Sequence, residues 1–179
     1  MGNNSPNEEY LRSITAAFEK YKVMGDNTFE QLEEKDFHFL PDEGSNSIAV
    51  IVQHISGNLT SRFTDFLTSD GEKATRNRDM EFEEQKLSKS ELIEGWNSSW
   101  KILLESLNNL KNEDLLKTIY IRKEAHSVIE ALNRSLTHTV YHIGQIVYLA
   151  KHIKKDSWKT LSVPKGKSKE FNKSMFTKK

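Results

Sequence analysis

The chain has 179 residues, with 26 basic and 26 acidic side chains and no formal net charge. That length implies one domain with enough chain to bury a core, and the charge balance gives no global attraction to nucleic acid. The absence of cysteine excludes disulfides, thiolate metal sites and a cysteine nucleophile, and fits a cytoplasmic address.

Met1-Gly-Asn-Asn-Ser-Pro6 has no apolar signal core, and no run approaches the ~18 apolar residues of a membrane span. Three prolines and eight glycines favour long helices over a many-turned β fold. The first helix begins at Ser5. Ser5-Pro6-Asn7-Glu8 offers an N-cap hydroxyl, a proline at the first helical position and a capping-box glutamate. Tyr10, Ile14, Ala17, Tyr21, Met24 and Leu32 recur at helical spacing, and Gly25-Asp26-Asn27 is a weak point where a kink is expected. Residues 36–46, with Pro41-Asp42-Glu43-Gly44, read as a short loop.

The second helix starts near Asn46-Ser47 with the stripe Ile48, Val52, Ile55, Leu59 and Phe66. His54, Asn58, Arg62 and Asp65 form a polar row on the flank of that stripe, where a surface helix keeps few such groups. Residues 70–86 are polar and aperiodic and read as a solvated loop. Their length exceeds the roughly 2–8 residues typical between antiparallel helix neighbours. It suffices to carry the chain back along a bundle, which makes the second and third helices parallel. The third helix opens with a second capping box, Ser88-Lys-Ser-Glu91, and carries Leu92, Trp96, Leu103, Leu107 and Leu110. In the connection 111–126, Thr118-Ile-Tyr-Ile-Arg122 has β propensity. The fourth helix runs from about Ser127 to about Lys154.

Four amphipathic helices with one long connection predict an all-α fold, a four-helix bundle with a crossover between the second and third helices. The bundle occupies residues 1–155. The tail, 156–179, holds seven lysines against one aspartate and one glutamate. It reads as a solvated basic segment partly docked by Trp158 and Phe171, rather than a nucleic-acid arm.

On the fourth helix, His138 and His142 stand one turn apart and so share a face. Leu132, Leu136, Val140, Ile143, Ile146, Val147 and Ala150 form the apolar stripe. The two histidines fall on its shoulder near Ala131 and Leu149, while Tyr141, Gly144 and Tyr148 occupy the wetter side. His54 occupies the corresponding shoulder of the second helix. Taken singly, each imidazole reads as a hydrogen-bonded core or boundary residue. Taken together, three imidazoles from two helices make a facial metal-binding set with room for water or substrate. Zinc, nickel and ferrous iron all accept such ligands, and histidine count does not distinguish among them; zinc is the favoured expectation.

Asn58, one turn past His54, is a candidate to orient a ligand, or else a buried amide bridging helices. Arg62 is a candidate for an anionic substrate, or else an ion pair with Asp65. Gln145 shares the His142 face. His38 and His126, in connections, and His152, on the outer face, are expected to be solvent-exposed non-ligands. There is no glycine-rich phosphate loop, nucleophile elbow, zincin motif or Glu-x-x-His pair of a di-iron bundle.

The arrangement of Val50-Ile-Val-Gln-His54-Ile-Ser-Gly-Asn58 with His138-Thr-Val-Tyr-His142-Ile-Gly-Gln145 resembles the DinB/YfiT-like superfamily. Asn58-Leu-Thr-Ser-Arg62, Asp70-Gly-Glu72, Arg76-Asn-Arg-Asp79 with Glu81-Phe82, and Leu161-Ser-Val-Pro-Lys-Gly-Lys-Ser168 resemble one uncharacterised branch of it. The resemblance spans essentially the whole chain. It implies an up-down-down-up four-helix bundle, one divalent metal ion per chain held by His54, His138 and His142, and a homodimer. Characterised members include thiol-dependent transferases and some isomerases. The expected function is therefore a metal-dependent transferase adding a low-molecular-weight thiol to an electrophile. Asn58, Arg62 and Gln145 are its catalytic candidates, and Arg62, Arg76 and Arg78 are candidates to hold carboxylates of the thiol. A metal-dependent hydrolase and a non-enzymatic metal-binding stress protein are the alternatives.

Overall fold

A computed structural model describes residues 5–177. Met1 to Asn4 and the last two tail lysines, Lys178 and Lys179, lie outside that range. The chain is mostly helical: α1 (Pro6–Phe29), α2 (Glu34–Phe37), α3 (Ile48–Phe63), α4 (Lys89–Asn109), α5 (Val128–Lys154) and α6 (Ser168–Phe176). A small antiparallel hairpin, β1 (Thr118–Ile121) and β2 (Glu124–Ser127), precedes α5. No helix among the described residues is long and apolar enough to cross a membrane.

The capping signals place the long helices to within a residue. The Ser5, Ser88 and Ser127 hydroxyls each accept the backbone N–H three residues on, and Glu8, Glu91 and Glu130 reach back to the cap N–H. Ser47 caps α3 in the same way, accepting from the Val50 N–H. Two local readings differ. Helix α1 continues through Gly25-Asp26-Asn27 because the glycine serves packing: a Cβ there would lie 2.6 Å from Trp96 Cζ2. Asp26 in turn accepts from Trp96 Nε1 at 2.8 Å. Part of the predicted 36–46 loop is helical instead. Asp36 accepts the Glu33 N–H at 2.8 Å, and buried Phe37 sits 5.5 Å from the Phe29 ring.

Helix α3 packs chiefly on α4, α1 on α5, and α3 also on α5. Phe18, Phe63, Trp96 and Trp100 are almost wholly buried and form an aromatic centre, with Phe18 6.3 Å from both Phe63 and Trp100. Burial reaches nearly around α3, as expected of an interior helix. Of the two predicted tail anchors only Trp158 docks; Phe171 stays 45% exposed.

The 70–86 connection is not simply a solvated loop. Its 3-10 turn, Asp79–Phe82, packs on α3, and Arg76 and Glu81 are buried to 5% and 10% side-chain exposure. Two histidines expected in solvent are also half-buried. The Glu84 carboxylate lies 2.6 Å from His38 Nδ1, and Leu87 O lies 3.0 Å from its Nε2. His126 lies 3.1 Å from Arg134 Nη1. Connections that return along a bundle give such rings partners that linear spacing does not display. His152 is exposed, as expected.

Candidate metal centre

His54 comes from the middle of α3, and His138 and His142 come from successive turns of α5. One ring nitrogen from each lies within 4.8 Å of the other two. Ring centroids are 5.1 Å apart for His54 and His138, 4.8 Å for His54 and His142, and 4.6 Å for His138 and His142. Neither helix alone could assemble this set. The α3–α5 contact supplies the third imidazole.

The hydrogen bonds fix which nitrogens are available. His54 Nδ1 donates to Glu81 Oε2 at 2.9 Å, so its Nε2 carries a lone pair. His142 Nδ1 donates to Gln145 Oε1 at 2.9 Å, which likewise leaves Nε2 free to accept. His54 Nε2 faces His138 Nε2 at 3.1 Å. Two lone pairs at that distance repel unless a proton or a cation lies between them. Burial, reinforced by the neighbouring His142 and His54, pushes His138 down to about 4. Burial also lowers His142, against the bond from Gln145. Both shifts on α5 favour the neutral imidazole, the form that ligates a metal. This donor set fits a divalent cation. Carboxylate and amide partners on the far ring nitrogens are what orient metal-binding histidines.

Glu81 is itself clamped. Arg76 Nε and Nη2 donate to its two oxygens, both at 2.7 Å. Burial works to raise the Glu81 pKa, but the bonds from His54 and Arg76 outweigh it and hold the carboxylate below its usual range. Gly57 makes room for this carboxylate, since a Cβ at position 57 would lie 2.3 Å from Glu81 Oε1. The Phe82 ring covers His54 at 4.6 Å.

His54 and His138 open onto a cavity of about 480 Å³. Asn58, Arg62, Arg76 and Arg78 line it too. Asn58 is buried within α3, and its side-chain amide has no hydrogen-bond partner among the described residues. Arg62 does not pair with Asp65. It reaches Glu72 at 3.1 Å and donates to Gly71 O. Burial lowers its pKa, with Arg76 and Arg122 pushing the same way and Glu72 opposing. Arg76 directs its donors to Glu81 and Glu72, whereas Arg78 is exposed and stacks over Phe82 at 5.0 Å. Gln145 lies outside the cavity lining and acts on His142.

Sequence reasoning left Glu81, Glu72, Gly57 and Ser135 without roles. One signal was present. Met80 and Phe82 are the only large apolar side chains between Asp70 and Lys86, marking where that polar stretch docks and what acid travels with it.

The fold and site define a helical protein with a three-histidine group that could hold a metal ion. The family described as "Protein of unknown function (DUF1572)" matches residues 5–167, and the chain belongs to that family. The matched span includes all three histidines and the 70–86 connection. A search of curated proteins returns no match.

Proposed function

We propose that this chain is a divalent-metal-dependent transferase that joins a low-molecular-weight thiol to an electrophilic substrate in the cytoplasm. We place it in the DinB/YfiT-like superfamily, with its long helices in an up-down-down-up bundle. Contacts support that topology. Tyr10 near the start of α1 bonds Ile129 and Asn133 near the start of α5, while Gln31 past the end of α1 meets Lys159 past the end of α5. These two helices run together. Ser47 meets Glu84 ahead of α4, and Ser106 late in α4 bonds Phe63 at the end of α3, so α3 and α4 also run together.

The observation that carries the functional reading is the opening of the histidine cluster onto an arginine-lined cavity. A purely structural ion needs no such cavity, whereas a catalytic one keeps a position open to substrate. His54, His138 and His142 would hold the ion, zinc foremost. A bound divalent ion supplies Lewis acidity, lowering the pKa of a thiol or water that meets it. The protein's own groups do the rest. Glu81 and Gln145 hold the imidazoles in the ligating tautomer. Arg62 and Arg78 attract the substrate, and Asn58 offers a free amide to orient it. Phe63 and Phe66 line the cavity and exclude water from one side.

In the reaction, the thiol sulfur bonds to the electrophilic carbon. The leaving group departs with its bonding pair, and the thiol proton passes to solvent. With no cysteine in the chain, the thiol must be a second small molecule. We extend the proposal to a homodimer, testable by light scattering.

The test follows consumption of 1-chloro-2,4-dinitrobenzene with glutathione, cysteine and other small thiols. Turnover should need thiol and metal together, stop with a chelator and return with zinc. Equal turnover without thiol would overturn the transferase reading in favour of a hydrolase. No turnover with any thiol or metal would favour the non-enzymatic alternative.

A further inference from the structure

The turn of the hairpin beside the cavity is backbone-strained. Arg122 and Lys123 have φ of 55° and 63°, the left-handed region that glycine and asparagine occupy at little cost. Neither side chain relieves the strain. Asp70 does so from outside the hairpin, accepting the Arg122 and Lys123 N–H groups, each at 2.8 Å. A second staple joins the Gly71 N–H to Tyr120 O at 2.8 Å. Strain maintained by an outside partner points to something the turn presents. Here it presents the Arg122 side chain, which lines the cavity next to the histidines.

Five arginines line that cavity, Arg62, Arg76, Arg78, Arg122 and Arg134, and no aspartate or glutamate among the described residues does. Glu72 alone is shared by Arg62, Arg76 and Arg122. Arg78 has no carboxylate partner among the described residues, and Arg134 only a distant one, Glu124 at 3.5 Å. The whole chain is neutral, so this is a local arrangement of charge. Ser135 lines the same cavity, is 7% exposed, and its hydroxyl is buried without a partner. Such a group is costly unless a ligand satisfies it.

We propose that this cavity binds an acidic small molecule with at least two negative charges, as carboxylates or a phosphate, held by Arg62, Arg78, Arg122 and Arg134. This rests on reading the cavity as the substrate site. Arg76 takes no part, because its donors hold Glu81. Ser135 donates to the ligand. Ile119 and Ile121 from β1 pack on its apolar portion. The cavity lies within the roughly 300–1,000 Å³ usual for small-molecule sites.

The test uses the full chain stripped of metal, with sulfate and succinate as probes and sodium chloride at matched ionic strength as control. Both dianions should raise the melting temperature in a saturable way, and chloride should not. Arg78→Ala combined with Arg122→Ala should weaken the apparent affinity about tenfold. These side chains are exposed or half-exposed, so folding should be retained. Arg12→Ala removes an exposed arginine of α1 and should change nothing. Asp70→Ala separates positioning from charge. Loss of a carboxylate near Arg62 by itself strengthens anion binding, whereas release of the turn weakens it. Weaker binding is expected.

No response beyond chloride, equal responses in the double variant and Arg12→Ala, or tighter binding in Asp70→Ala would overturn the proposal. Metal content, measured separately, distinguishes the two failures. A chain that binds zinc but no dianion loses only this inference. A chain that binds dianions but no zinc loses the metal-dependent reading.

Discussion

Replacing Glu81 by glutamine tests whether the 70–86 connection is part of the metal centre. The substitution keeps size and removes charge. Arg76 then loses the carboxylate it grips through two 2.7 Å bonds, and His54 Nδ1 loses an ionised acceptor at 2.9 Å. Loss of such an orienting partner costs about 10–100-fold in metal affinity, or about 1.4–2.7 kcal/mol. Competition between the purified chain and a chromogenic chelator at pH 7 reads this directly, with circular dichroism as the check on helix content. Gly57→Ala sharpens the test. Alanine favours a helix over glycine by about 1 kcal/mol, so α3 itself gains. The added Cβ nevertheless needs the space that Glu81 occupies, at 2.3 Å. Zinc affinity should therefore fall in the wild-type background and not in a Glu81→Ala background, a coupling that a double-mutant cycle isolates. Unchanged affinity in Glu81→Gln, or the same loss from Gly57→Ala in both backgrounds, would refute the reasoning.

Other expectations follow from the same contacts. Protein purified without a nickel column should carry close to one divalent ion per chain by elemental analysis, and His138→Ala or His142→Ala should release it. Gly25→Ala should destabilise the chain by about 1–3 kcal/mol in denaturant titrations, because overpacking against Trp96 exceeds the gain in helix propensity. Burial raises the Tyr10 phenol from 10.0 to about 12. The unfolded chain then releases this proton at lower pH than the folded chain does. Stability should fall as pH rises from about 10 to about 12, and Tyr10→Phe should remove that part of the pH dependence.

What was readable from linear order was whatever neighbouring residues decide among themselves. A serine with a glutamate three residues on caps a helix wherever the chain places it, so Ser5 and Ser88 marked their helices to within a residue, and the structure shows the same box at Ser127 and Glu130. The shoulder position of His54, His138 and His142 also follows from helical periodicity alone. Their convergence required α3 to lie against α5, a contact between residues 84 positions apart in the case of His54 and His138. The same holds for the groups that set their chemistry. Glu81 meets His54 because a polar connection folds back over α3, and it fits because position 57 is glycine. Arg122 reaches the cavity because Asp70, far away in sequence, holds a turn that its own residues disfavour. Capping and periodicity act within a turn or two of helix. Pairing of buried charges depends on burial and approach in three dimensions, and only the packed chain brings those partners together.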